Sequence, residues 1–295
     1  MKQAMKRIVT FCLVVAMIAI LLPVTDVQAA TKSVTMYKGE VLSYTTYSTV
    51  SKVSSSKSSV VKAAKNKEDD IYTDLTAKAT GKSTVTIKTK NGTNKLNITV
   101  KKLDMTAKVV SVAGGYVTLS IKNNTAQIFD KIEVTYTLKD ANGEVVKQDA
   151  EIVYDVLAKK TAYDSVYVGS SQAELIDLSS CTAKVTGIVH DPRYIYKDVS
   201  SKVKATVKDE KESDTSIEFS VTTKNTTNET VSGRYYVMLY DAADTLIGVD
   251  SRSIYLSKKA TNTSTSGYIS KYSYPEYDHY KIVVQAYYTA RDKNW

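Results

Sequence analysis

The chain has 295 residues, 43% of them hydrophobic and 24% charged, with 11 glycines, 3 prolines, 2 cysteines and a formal net charge of +9. Because Cys12 lies in the leader described below, Cys181 is left alone and an intrachain disulfide is excluded in the remainder. The positive balance favours anionic surroundings such as teichoic acid or acidic polysaccharide. The basic residues are nevertheless spread along all segments rather than gathered in one arm, which reads as a solvated surface and not as a nucleic-acid arm.

Residues 1–29 read as a secretory signal peptide. Lys2, Lys6 and Arg7 precede the apolar run from Ile8 to Val24, and Val27-Gln28-Ala29 offers small residues where signal peptidase cleaves. Phe11 before Cys12 lacks the small side chain of a lipobox, so lipidation is not expected. No second apolar run follows, and the Leu-Pro-x-Thr-Gly sorting signal is not found, so no stable membrane insertion is expected after cleavage. The expected location is extracellular, either released or held non-covalently on a Gram-positive cell wall.

The rest of the chain shows period-2 alternation, the mark of half-buried strands. A first module is expected over 31–101. It opens with Val34-Thr-Met-Tyr-Lys-Gly39 and continues with Val53-Ser-Ser-Ser-Lys-Ser-Ser-Val-Val61. It closes with Ala79-Thr-Gly81-Lys-Ser-Thr-Val-Thr-Ile87 and Leu96-Asn-Ile-Thr-Val100. That order resembles the bacterial immunoglobulin-like group 2 domain, although the tryptophan often found before the Ser-Ser segment is missing. The resemblance implies a small β-sandwich of cell surfaces and supplies no catalytic residue.

The remaining two hundred residues read twice, over 105–200 and 201–295. Val117-Thr-Leu-Ser-Ile-Lys-Asn-Asn-Thr125 has its counterpart in Ile217-Glu-Phe-Ser-Val221 followed by Asn225-Thr226. Leu157-Ala-Lys-Lys-Thr161 matches Leu256-Ser-Lys-Lys-Ala260. Ala141-Asn-Gly143 reads as a hairpin turn. Val185–Val189 and Ile282–Ala286 are the expected closing strands. The strand ending Met238-Leu-Tyr-Asp-Ala242 resembles the small bacterial FxLYD-type sandwiches, and Thr137-Leu-Lys-Asp-Ala141 is its weaker copy. The expected fold class is therefore all-β, with three tandem immunoglobulin-like β-sandwich modules after a cleaved N-terminal signal helix.

No motif for chemistry emerges. His190 and His279 lie near the ends of different modules, without companion ligands at metal-binding spacing, and each reads as a loop residue. Cys181 reads as a small buried strand residue. The acidic runs Glu68-Asp69-Asp70 and Asp209–Asp214 lack the spacing of a calcium loop. Nucleophile and phosphate-loop motifs are missing. No catalytic, cofactor or metal residue is expected, and the protein is expected not to be an enzyme.

Tyrosine is the unusual count, at 22 against 3 phenylalanines and 1 tryptophan. Its ring packs in a sheet while its hydroxyl stays wet, which accounts for most of the tyrosines. Tyr272, Tyr274, Tyr277 and Tyr280 fall in a segment read as lying between strands. They are the candidate contact face for cell-wall polysaccharide or an extracellular protein partner. The sequence thus points to a secreted, non-catalytic modular surface protein. A structural spacer or accessory subunit of an exported enzyme is the alternative, and a secreted protease inhibitor a weaker one.

Overall fold

The computed structural model describes residues 31–191 and 193–291, and of 208–210 and 263–268 the backbone alone. The signal peptide expected at 1–29 lies outside the described residues. The chain divides into two compact units, one holding the residues up to Thr35 and Ser43–Val100, the other holding Met36–Leu42 and Lys101–Trp295.

Seven strands build the first region: β1 (Thr31–Tyr37), β2 (Val41–Thr45), β3 (Val50–Ser55), β4 (Val61–Lys65), β5 (Tyr72–Ala77), β6 (Gly81–Thr89) and β7 (Gly92–Lys101). They form a four-stranded sheet, β1-β7-β6-β3, and a three-stranded sheet, β2-β5-β4. The alternation read from the sequence decides which side chains go inward. Val85, Ile87, Leu96, Ile98, Val61 and Leu75 are buried, whereas their neighbours along each strand face water. The serine-rich segment after β3 has a defined task. Lys57 N donates to Ser83 Oγ at 3.1 Å and Thr84 N to Ser56 Oγ at 2.9 Å, which ties that segment to β6.

The second unit contains both repeats. The earlier is built from β8 (Met105–Ala113), β9 (Tyr116–Asn123), β10 (Phe129–Lys139), β11 (Val145–Val156), β12 (Thr161–Tyr167) and β13 (Thr182–Val189), with one short helix, α1 (Ser170–Ala173). Its sheets are β12-β9-β8 and β11-β10-β13. The later repeat contributes β15 (Val203–Glu212), β16 (Ser216–Asn225), β17 (Val231–Tyr240), β18 (Leu246–Leu256), β19 (Thr261–Ser270) and β20 (His279–Arg291). Its sheets are β15-β16-β19 and a four-stranded one in which β20-β17-β18 repeats the order of β13-β10-β11. The duplication therefore extends from sequence to strand order. It reaches the irregularities as well, since the β10–β11 ladder slips at Leu138/Lys139 and the β17–β18 ladder at Leu239/Tyr240.

The fourth strand of that last sheet is β14 (Tyr194–Asp198), which pairs with β20 from Tyr194↔Arg291 to Asp198↔Tyr287. It precedes the expected boundary at Ser200 yet belongs to the later sandwich. Cys181 lies not in a strand but just before β13, where its Sγ contacts Asp177 O at 3.3 Å. Phe129, Ile132, Val134, Tyr136 and Leu138 fill the earlier sandwich, and Ile217, Phe219, Val221, Tyr235, Val237 and Leu239 fill the later one. No helix among the described residues is long and apolar enough to cross a membrane.

Candidate functional site

Within the second unit the two sandwiches are joined by buried and partly buried polar contacts between strands of both. Ser165 Oγ on β12 donates to Val249 O at 2.7 Å, and Ser111 Oγ on β8 to Ile247 O at 3.0 Å. Gln285 Nε2 on β20 donates to Thr161 O at 2.6 Å, and the Tyr287 hydroxyl to Asp155 Oδ1 at 2.7 Å. The Tyr196 hydroxyl donates to Asp130 Oδ1 at 2.6 Å. Edge-to-face packing of Tyr163 on Tyr236, with ring centroids 5.7 Å apart, adds an aromatic contact. Burial raises the pKa of Asp155, and it does so against the lowering effect of the Tyr287 hydroxyl and the Arg234 guanidinium. Each of the five hydrogen bonds satisfies a backbone carbonyl or a carboxylate of the other sandwich, so together they fix one relative placement of the two sandwiches.

At the edge of this junction lies a cleft of about 440 Å³ whose walls include Tyr116, Asp164, Asp250, Arg252, Ser273 and Tyr274. Tyr116 and Tyr167 are partners across the β9–β12 ladder, with ring centroids 5.1 Å apart and an interplanar angle of 58°. Their exposures of 37% and 62% leave aromatic surface facing water beside the cleft. Burial pushes the Asp164 carboxyl up to about 6, although Ser165 N donates to it at 3.0 Å. Burial also raises Asp250, and Arg252, whose Nε lies 3.0 Å from Asp250 Oδ2, opposes that rise. Aromatic rings, two carboxyls, a guanidinium and serine hydroxyls thus converge on one concavity, the mixture by which ligand sites combine apolar contact with a few orienting polar groups.

Tyr274 reaches the cleft because two glycines leave it room. A Cβ on Gly248 would sit 2.4 Å from the Tyr274 ring, and one on Gly114, whose φ is +56°, would sit 2.1 Å from Ser273 O. The Ser273–Tyr274 segment is thereby seated on β18 and on the turn after β8. Burial pushes the Tyr274 phenol up to about 12, with Tyr116 and Asp250 adding to the shift.

The four tyrosines singled out from the sequence separate here. Tyr272 is 80% exposed. Tyr274, Tyr277 and Tyr280 are half-buried and pack against the core of the later sandwich; Tyr280 is already part of β20 and stacks on Phe219 at 6.5 Å. Tyr274 alone of the four lines the cleft. Sequence reading missed Tyr116, Tyr167, Asp164 and Asp250, since nothing in the local pattern distinguishes them from other strand residues. The Gly114-Gly115 pair before Tyr116 was the one available signal of a close approach.

The histidines have other surroundings. His279 is stacked on Tyr240, its Nδ1 3.0 Å from Asp278 and its Nε2 3.1 Å from Asp244. His190 is not an open loop histidine: it is buried, and its Nδ1 lies 2.5 Å from Oε1 of the fully buried Glu40. Among the described residues no three or more His, Cys, Asp or Glu side chains are gathered as a metal site would require.

No family model matches the chain, and no curated protein matches it. Among solved structures it is similar to red sea bream transglutaminase, at 10% identity over 66% of this chain and 30% of that one, with a TM-score of 0.20. It is similar also to the I9–I11 tandem from titin, at 12% identity over 81% of this chain and 96% of that one, TM-score 0.21. A tetra-tandem repeat from the extending region of a large adhesion protein matches at 17% identity over 79% and 65%, TM-score 0.20. The chain spans under a third of the transglutaminase and just under two thirds of the adhesion fragment. Likeness at these TM-scores carries no argument about function.

Proposed function

We propose that this protein is a secreted, non-catalytic module of the bacterial surface that holds a wall glycan in the cleft beside Tyr116 and Tyr274. The observation that carries the reading is the convergence of Tyr116, whose ring packs against the exposed Tyr167, with Tyr274, Asp164, Asp250 and Arg252 on one concavity. Sugar rings offer apolar faces that stack on aromatic rings and hydroxyls that bridge to carboxylates and guanidinium groups. In this reading the two carboxyls of the cleft act as hydrogen-bond partners of the sugar hydroxyls. The group 2 and FxLYD resemblances agree with an extracellular sandwich protein and rest on their short motifs. Sedimentation with purified cell wall tests the proposal. The protein is expected to pellet with the wall and to be released by soluble wall oligosaccharide; retention that no oligosaccharide competes away contradicts it.

A second reading, a spacer or accessory subunit that positions an exported partner, is favoured by the polar contacts that fix the two sandwiches to each other. Co-purification with a single exported protein, undisturbed by substitutions in the cleft, is the result that selects it.

A further inference from the structure

The basic residues are spread along the chain, but the acids are not. Residues 31–35 and 43–100 hold eleven lysines, no arginine and four acids, whereas the second unit holds 26 basic and 26 acidic residues. Beyond the leader, the surplus of the chain therefore belongs to the first unit.

Within that unit the surplus is further sorted by face. Three acids, Glu68, Asp69 and Asp70, lie in the turn between β4 and β5, and the fourth, Asp74, lies on β5. The strands β1, β7, β6 and β3 contain no acid. On β6 and β7 the buried residues Val85, Ile87, Leu96 and Ile98 alternate with Lys82, Lys88 and Lys95, which are exposed and share the solvent face. On β3, Lys52 is the direct cross-strand partner of Lys88, while Thr86, two residues before Lys88, faces Lys95. Lys88 therefore has a like charge directly opposite and another on the diagonal, an arrangement that disfavours the sheet. None of these four lysines forms an ion pair with a described residue. Protection of an exposed strand edge explains Lys52 alone, because β6 and β7 are interior strands.

We propose that this face binds a linear polyol-phosphate polymer. Lys82 and Lys88 are six residues apart on one strand, about 20 Å at the strand rise, so the face offers a strip of charge rather than a pocket for one ion. Between and beside the lysines stand Thr84, Thr86, Thr93, Asn97 and Thr99, which can bond to hydroxyls and phosphoryl oxygens. A shallow depression of about 450 Å³, lined in part by Ser33, Thr35, Lys82, Asn97 and Thr99, lies at the Lys82 end. Nucleic acid fits less well. The face carries no aromatic ring for a base to stack on, and residues 31–35 and 43–100 contain no arginine for bidentate contacts.

The test uses residues 30–295 and labelled poly(glycerol phosphate) of defined length, titrated at several salt concentrations. Replacing Lys52, Lys82, Lys88 and Lys95 by Gln is expected to weaken binding at least tenfold and to flatten the log–log salt dependence by about 3, roughly 0.7 to 0.9 for each of the four lost contacts. A control with the same change in charge, Lys62, Lys65, Lys67 and Lys78 to Gln, is expected to stay within twofold of wild type. Circular dichroism melts of both variants check that the fold is kept. Equal losses in the two variants would overturn the proposal in favour of bulk charge. So would no measurable binding by the wild type, or tighter binding of single-stranded DNA of the same charge.

Discussion

Asn123 donates from its buried side-chain amide to the carbonyl of Leu157 at 3.1 Å, and one repeat later Asn225 does the same to Ser257 at 2.9 Å. Each amide bonds two further carbonyls, those of Gln127 and Val156 in the first copy and of Glu229 and Leu256 in the second. Each side-chain oxygen accepts from the backbone of Thr125 or Thr227. A single asparagine thus clamps two loops that are far apart in sequence: the Asn-Thr turn and the Lys-Lys turn. Lys159 and Lys259 take left-handed backbone conformations there, with φ of 60° and 55°. Each sends its ammonium back to the opposite loop, at Asn124 O and Thr226 O.

Replacing Asn123 or Asn225 by Ala is expected to cost about 1–3 kcal/mol, because buried carbonyls lose their donors while the hydrophobic cores stay intact. Urea denaturation checks this. A loss below a few tenths of a kcal/mol would mean that the loops hold without the clamp.

The clamp also shows what could be read from the chain. The Asn-Thr and Lys-Lys segments are visible as matched strings, the second one residue out of register because Lys159 corresponds to Lys259 rather than Lys258, and the sandwich class follows from alternation. That one string bonds the other is not, because it depends on two turns meeting across thirty residues. For the same reason Glu40 and His190, 150 positions apart, gave no sign of their pairing. β14 was invisible as a member of the later sheet because its five residues carry no alternation that singles out a partner. The tyrosines show a further limit. A segment between strands was read as open, but Gly114 and Gly248 let it settle onto the neighbouring strands, which half-buries Tyr274.

Removing one partner of the Glu40–His190 pair is expected to be severe. His190→Ala leaves the fully buried Glu40 carboxyl without its 2.5 Å partner, at a cost of about 3–5 kcal/mol. The double replacement Glu40→Gln/His190→Leu removes both partners and is expected to recover part of that loss. Denaturant midpoints of the two variants, compared with wild type, provide the check.

Stability is expected to fall as pH rises from about 4 to about 6. The Asp164 carboxyl titrates near 6 in the fold, above its ordinary value of 3.8, so the folded chain binds more protons than the unfolded one between those values. The fold penalises the ionised form, and the effect levels off above the folded value. The Asp164 contribution is on the order of 2 kcal/mol. Burial raises Asp155 and Asp250 in the same direction. Asp164→Asn is expected to flatten this part of the curve in thermal melts taken across the range. An unchanged slope would show that the carboxyl is not desolvated.

Gly248→Ala tests the seat of Tyr274. The added methyl would meet the ring at 2.4 Å, and the strain of overpacking is expected to cost about 1–3 kcal/mol or to eject the ring. If the ring leaves, the cleft loses a wall and oligosaccharide binding weakens together with stability. Gly143→Ala serves as a comparison at the β10–β11 turn, where a Cβ meets nothing within 4 Å; it changes φ strain alone and leaves binding intact.

Calorimetric titration of soluble wall oligosaccharide into wild type and into Tyr116→Ala/Asp250→Asn measures glycan binding in the cleft most directly. Loss of the ring and of the charged acceptor is expected to weaken binding at least tenfold, which is about 1.4 kcal/mol, with the melting temperature within a few degrees of wild type. Equal affinities for the folded variant and the wild type would contradict the assignment of the cleft as the glycan site.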